Sequence, residues 1–126
     1  MADNRRLNGG PQKTAELSIT NTVANLTDAD AVAVSKAAEV RGFAIYNPNA
    51  YPVWLKIFNG AASTITLSSD GTAETYELNP MTVTYKPADS PVHINTLMSF
   101  AVTREAGAGA TTPGTAVTGK IIFGTA

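Results

Sequence analysis

The sequence contains no cysteine, and this absence excludes disulfide bonds, thiolate metal sites and a cysteine nucleophile. Only one histidine, His93, is present, so a zinc site built from several histidines of one chain is excluded as well. A Ser-His-Asp triad would need His93 as its base, but the sequence has no Gly-x-Ser-x-Gly motif. We therefore expect no catalytic residues, no metal site and no cofactor, and a protein that is not an enzyme.

Charge and long apolar runs are also scarce. Charged residues make up 15% of the chain, the net charge is -1, and the basic residues are not clustered with aromatics. This pattern argues against nucleic acid as a partner and favours other proteins. No apolar run approaches the roughly 18 residues that cross a bilayer, and no signal-peptide segment is found, so we expect a soluble chain without membrane contact.

Aromatic residues form only 7% of the chain, so a core has to be filled mainly by small and β-branched side chains. With 126 residues, the chain has material for one such core. From Ala15 onward, apolar residues recur with a period of two, as in Leu17, Ile19 and Val23, which indicates strands. Further candidate strands are residues 32–35, 40–46, 53–58, 64–67, 72–78, 81–85, 92–94, 98–103 and 117–123.

Turn residues separate these strands about every 8 to 12 residues, which is typical of an all-β sandwich or barrel. Residues 47–52 (NPNAYP) join two strong strands, Asn79-Pro80 separates another pair, and Ser69-Asp70-Gly71 predicts a tight hairpin. The sequence therefore predicts an antiparallel β-sandwich or jelly-roll-like barrel of about 8–10 short strands, with an extended N-terminal arm.

The arm is residues 1–14, and residues 15–126 form the single β-sandwich domain. The arm carries Arg5 and Arg6 but only one large apolar residue, so it cannot bury enough surface to fold alone. Two interpretations stay open: a disordered tail, or an arm that becomes ordered on a neighbouring subunit, with both arginines making polar contacts.

The strand at residues 53–58 has large apolar side chains on both faces. If Val53, Leu55 and Ile57 enter the core, Trp54 and Phe58 point the other way. A small monomer rarely leaves such rings in water, so they are covered either by a second subunit or by another part of the same chain. We take Trp54 and Phe58 as candidate protein-interface residues.

Three further features have two interpretations each. Tyr51 is a third candidate interface residue, and either Tyr51 or Trp54 could instead be a stacking platform for a glycan. Asp28 and Asp30 resemble part of a calcium loop but lack its other ligands, so solvated turn carboxylates are the alternative. Residues 105–115 (EAGAGATTPGT) form a long loop before the last strand, which either settles against a neighbour or stays mobile on the surface.

Two segments add a resemblance to this pattern. Residues 40–47 (VRGFAIYN), followed by residues 51–59 (YPVWLKIFN), look like paired strands of small virion proteins of tailed bacteriophages. Residues 98–103 (MSFAVT), the Gly/Ala/Thr-rich loop and residues 117–123 (VTGKIIF) are similar to the closing strands of the same proteins.

The resemblance implies a structural virion protein, in the first place a capsid decoration or cement protein. Such a protein lies on the capsid surface, binds the major capsid protein and is a homo-oligomer, often a trimer. Residues 70–78 are shorter and more acidic than the segment expected there. A phage tail or fibre component, with a glycan-binding surface, is therefore the alternative.

Overall fold

The computed structural model describes residues 12–19, 24–25, 38–69, 71–72, 74–86, 92–94 and 98–125, and most of these residues are in β-strands. One turn of 3-10 helix, Ala62–Thr64, is the helical element within them. The strands are β1 (Gln12–Ile19), β2 (Ala24–Asn25), β3 (Ala38–Asn47), β4 (Val53–Asn59), β5 (Glu74–Leu78), β6 (Thr82–Lys86), β7 (Val92–Ile94), β8 (Met98–Thr103) and β9 (Val117–Thr125). The predicted all-β class is confirmed.

The strands form two antiparallel sheets. The large sheet has the order β1-β9-β3-β6. Its fifth strand, β7, pairs with residues 38–40 of β3, and β6 pairs with residues 43–47 on the same side of β3. The small sheet has the order β2-β8-β4-β5. With β7 set aside, the described strands alternate between the sheets in chain order, except that β4 and β5 follow each other in the same sheet. This alternation is that of a jelly roll, so the predicted β-sandwich is confirmed.

The hydrophobic core lies between the two sheets. Phe43, Ile45 and Phe123 reach it from the large sheet, while Leu55 and Ile57 reach it from the small one, and each is at most 3% exposed. These residues occupy every second position of their strands, which explains the period of two in the sequence. Each such side chain contributes about 1.5–3 kcal/mol through its burial.

Two local predictions are wrong. Residues 64–67 are not a strand: after the 3-10 helix, the chain turns at Leu67, and the Ser69 N–H donates to Thr66 O at 3.1 Å. The tight hairpin predicted at Ser69-Asp70-Gly71 lacks its first strand for the same reason, and Asp70 itself lies outside the described residues. The physical reason is that Leu67 packs onto Phe58 instead of pairing with a strand.

The predicted domain boundary falls inside β1. This strand begins at Gln12, and Gln12, Lys13 and Thr14 pair with Gly124, Phe123 and Ile122 of β9. The other residues of the predicted arm, 1–11, lie outside the described residues, and so does the candidate strand at residues 32–35.

Candidate functional site

The outer face of the small sheet carries an unusual row of side chains. In β4, Trp54, Lys56 and Phe58 alternate with residues that enter the core, as the sequence predicts. Ala101 and Thr103 of β8 lie opposite Lys56 and Trp54. Both large rings of this row were candidate interface residues, so what covers each of them decides their role.

Phe58 is covered by the chain itself. Its ring is only 1% exposed, because it packs against Leu67, Ala101 and the half-buried Ile65. Of the two interpretations of this face, intramolecular cover holds for Phe58. The expectation that Phe58 offers its ring to a second subunit is therefore wrong, since the connection after β4 already occupies that surface.

Tyr51 and Trp54 are both half-buried. The Tyr51 hydroxyl accepts a hydrogen bond from the Gly114 N–H at 2.8 Å, and the Arg104 guanidinium lies 3.9 Å from the centre of the Tyr51 ring. A cation over the ring gives a favourable cation–π contact. Tyr51 thus holds the long loop, and one of its two ring faces is not open for stacking on a sugar.

The predicted long loop before β9 is tied down at several points. The Thr111 N–H donates to Glu105 Oε1 at 3.0 Å, and the Gly109 N–H donates to Leu67 O at 3.1 Å. Hydrogen bonding from Thr111, above all from its side chain, lowers the pKa of the Glu105 carboxyl. The loop therefore lies over the small sheet and carries an ionised carboxylate there.

Lys56 is enclosed beneath this loop. The residue is only 2% exposed, and its Nζ donates to Gly107 O at 2.5 Å. Burial lowers the pKa of the Lys56 ammonium from its ordinary value of 10.5, while the nearby Glu105 carboxylate opposes that shift. A buried lysine is rare unless it is paired, so this position is the most unusual electrostatic feature of the described residues.

Replacing Lys56 by Met should remove a pH-dependent part of the stability. Folding lowers the pKa of this lysine. At a pH between the lowered value and 10.5, Lys56 is therefore protonated less often in the folded chain than in the unfolded chain. Wild-type stability, measured relative to Lys56→Met, is therefore expected to rise as the pH increases toward 10.5. Urea unfolding of both chains across that pH range measures the difference.

Two points make this comparison specific. Burial raises the pKa of Tyr76 to about 12, which lowers stability as the pH rises above 10, but both chains contain Tyr76 and the effect cancels. Lys120→Met, which removes an exposed lysine, controls for the loss of one positive charge. A stability difference between wild type and Lys56→Met that stays constant with pH would contradict the burial of the ammonium.

A buried amide network lies where the chain passes from β3 to β4. Asn47 is fully buried, and its Nδ2 donates to Tyr51 O at 2.9 Å and to Leu78 O at 3.0 Å. Its Oδ1 accepts from the backbone N–H of Asn49 at 2.9 Å and from Asn49 Nδ2 at 3.0 Å. Asn49 in turn exchanges two hydrogen bonds with the Thr115 backbone, at 2.8 and 2.9 Å. The network joins both sheets to the long loop.

The outer face of the large sheet carries exposed apolar side chains that the sequence did not lead us to select. Tyr46, Val83 and Tyr85 are 37%, 40% and 73% exposed, and we call these three residues the apolar strip. Tyr46 of β3 lies directly opposite Val83 of β6, and Tyr85 follows on the same face of β6. The shared parity of Val83 and Tyr85 was visible in the sequence, but the pairing with Tyr46 was not.

The remaining candidate residues fall partly outside the described residues. This holds for Arg5, Arg6, Asp28 and Asp30, whereas His93 lies in β7, paired in register with Glu39. In the part of the chain that the structure describes, no group of three or more His, Asp or Glu residues is placed to hold a metal ion. No helix within those same residues is long and apolar enough to cross a membrane.

The comparisons with known proteins add no relative. No protein-family model matches the chain, and neither a curated protein nor a solved structure does.

Proposed function

We propose that the chain is a structural virion protein, a capsid decoration or cement protein that binds the major capsid shell and stabilises it through protein–protein contacts. The resemblance of residues 40–59 and 98–123 to small virion proteins supports this role. The jelly-roll order of the strands also supports it, because viral capsid domains commonly use this architecture. Since one architecture serves many functions, the proposal depends on a surface as well as on the fold.

The observation that carries the proposal is the apolar strip. It lies on β3 and on β6, and β6 is an edge strand among the described strands. Neighbouring exposed aromatic and aliphatic side chains on one sheet face are typical of protein contact surfaces. A tyrosine suits such a contact because its ring buries a large apolar area while its hydroxyl can still hydrogen-bond. We assign the strip to the contact with a shell subunit.

The mechanism of stabilisation would be mass action. A protein that binds the assembled shell more tightly than the separated subunits shifts the equilibrium toward the assembled state. Covering the exposed parts of Val83 and Tyr85 contributes only on the order of 2 kcal/mol per copy. A homo-oligomer, for which a trimer is our expectation, would engage several shell subunits at once and multiply this contribution.

The double substitution of Val83 and Tyr85 by Thr is expected to weaken binding to the shell about tenfold or more. Threonine keeps the preference for β-structure but removes the apolar area, and a loss of about 1.4 kcal/mol already corresponds to tenfold. Co-sedimentation of the variant with particles that lack the chain measures the affinity. The stability of the free protein should change little, because both side chains are exposed.

Glu77→Thr is the matched control, because Glu77 is exposed on β5, an edge strand of the other sheet. It should bind the shell like the wild type. Equal binding by the Val83/Tyr85 variant and the wild type would contradict the assignment of the apolar strip to the contact with the shell. Mass spectrometry of separately purified heads and tails tests the function itself, since a chain that is absent from heads is not a decoration protein.

The alternative is a tail or fibre component that binds a glycan. Two points support this alternative. Jelly rolls also occur in lectin domains, and the Tyr85 ring is exposed enough to stack on a sugar. The chain would then be found in the tail fraction, and a glycan array would give a signal that Tyr85→Thr abolishes.

A further inference from the structure

A cavity of about 230 Å³ lies between the long loop and the outer face of the small sheet, and its lining includes both Lys56 and Gly107, the residue whose carbonyl oxygen accepts a hydrogen bond from the Lys56 ammonium. We propose that this cavity binds a small oxyanion, such as inorganic phosphate, sulfate or a short carboxylate. The site is independent of the proposed virion role. The described residues that line it are Lys56, Leu67, Ser69, Gly71, Thr72, Thr75, Ala106, Gly107 and Ala108.

The Lys56 ammonium has unused hydrogen-bond donors. It has three N–H groups, and within the described residues one of them is used, in the bond to Gly107 O. A buried ammonium with unused donors costs free energy unless an acceptor reaches it. Because Lys56 lines the cavity, an acceptor can reach those N–H groups from that space. An oxyanion offers acceptor oxygens and a counter-charge together.

Hydroxyl groups surround the same space. The Thr72 and Thr75 hydroxyl oxygens lie 2.8 Å apart and share one hydrogen, so the other hydroxyl hydrogen is left for a third group. Thr75 lies directly opposite Lys56 in the register of β4 and β5, and Ser69 contributes another hydroxyl to the lining. Several hydroxyl-bearing residues therefore line the same space as Lys56, as a ligand with several acceptor oxygens requires.

The charges of the described residues that line the cavity are compatible with an anion. None of the described lining residues is acidic. The carboxylate that raises the pKa of Lys56 belongs to Glu105, which is not among the described lining residues and already accepts a hydrogen bond from the Thr111 N–H at 3.0 Å. Glu105 reduces the cost of burying the ammonium but leaves its unused donors to a ligand.

The size and walls of the cavity also fit a small ligand. One water occupies about 30 Å³ of the liquid, so the cavity holds a small oxyanion with several waters, but not a nucleotide or an oligosaccharide. The loop side of the cavity consists of the small residues Ala106, Gly107 and Ala108, which leave room for a ligand beside Lys56.

The test is calorimetric titration of the full chain with sodium phosphate, sodium sulfate and sodium acetate at constant ionic strength, with sodium chloride as the reference. At least one oxyanion is expected to bind saturably and to raise the unfolding temperature with its concentration. Binding should weaken by about tenfold or more in Lys56→Met, because a hydrogen-bonded charge is lost. Lys120→Met, which removes an exposed lysine, should bind like the wild type.

If Lys56→Met does not fold, Ser69→Ala and Thr75→Val provide the second test, since each removes one hydroxyl and leaves the ammonium in place. Each is expected to weaken binding severalfold. Competition among the three anions then shows which oxyanion chemistry the site prefers. The proposal is overturned if none of the three binds more tightly than chloride, or if the Lys56 and hydroxyl variants bind as the wild type does.

Discussion

Gly119→Ala is expected to lower the free energy of unfolding by about 3 kcal/mol or more. Gly119 has a φ of 155°, which side-chain-bearing residues rarely adopt, and it lies in β9 directly opposite Ile45 of β3. An added Cβ would overlap with the backbone oxygen of Ala44 and would lie 2.7 Å from the Ile45 Cα. Backbone strain and a backbone clash therefore act together.

Gly107→Ala is the matched control. A Cβ at Gly107 has no neighbour within 4 Å, so this substitution should change the stability by no more than about 0.5–1 kcal/mol. Urea unfolding of the two variants and the wild type measures both effects. Similar stabilities for Gly119→Ala and the wild type would mean that β3 and β9 do not approach each other as closely as described.

Asn47→Ala is expected to cost about 3 kcal/mol or more. The substitution leaves two backbone carbonyl groups without their donor and two N–H donors without their acceptor, most of them buried. Each buried polar group that loses its partner costs about 1–3 kcal/mol. The loss should extend to the long loop, because the Asn49 side chain, which Asn47 orients, holds the Thr115 backbone.

Asn79→Ala controls for the removal of an asparagine at an exposed position near a strand end. Thermal unfolding compares the stabilities, and hydrogen exchange at the Thr115 amide reports on the loop. We expect faster exchange in Asn47→Ala than in Asn79→Ala. Equal exchange rates, together with equal stabilities, would show that the network does not hold the loop.

Most of the strands could be predicted from the sequence, because apolar and polar residues alternate within each of these segments. Residues 92–94 and 98–103 were predicted with the bounds that the structure has for β7 and β8. The segment at residues 64–67 has the same alternation, yet it forms no strand. Its apolar residues Ile65 and Leu67 find their partner in Phe58, a contact that no local pattern records.

The candidate site could be predicted only in part. The alternation in β4 correctly placed Lys56 and Phe58 on the face away from the core. What covers that face comes from residues 60–69 and from the loop before β9, which is about 50 residues away in sequence, as the bond from Lys56 to Gly107 illustrates. A residue's neighbours across such a distance depend on sheet order, and composition or periodicity does not encode that order.

Asn47 shows the same limit for polar groups. Next to a proline, it was taken as an ordinary turn residue, since asparagine and proline are frequent in turns. In the structure it is fully buried and holds both the β3–β4 connection and the end of β5. Asn47 is buried because the chain passes from one sheet to the other at this point. Local sequence patterns do not reveal this crossing.

The position of β9 has a consequence for the way the protein folds. This strand follows the other eight in chain order, yet it lies between β1 and β3 in the large sheet. During synthesis, β1 therefore cannot pair with β9 until almost all of the described chain has left the ribosome. Contacts between such distant segments form slowly, so the backbone edge of β1 stays unpaired, and exposed to chaperones and to aggregation, until β9 has been synthesised.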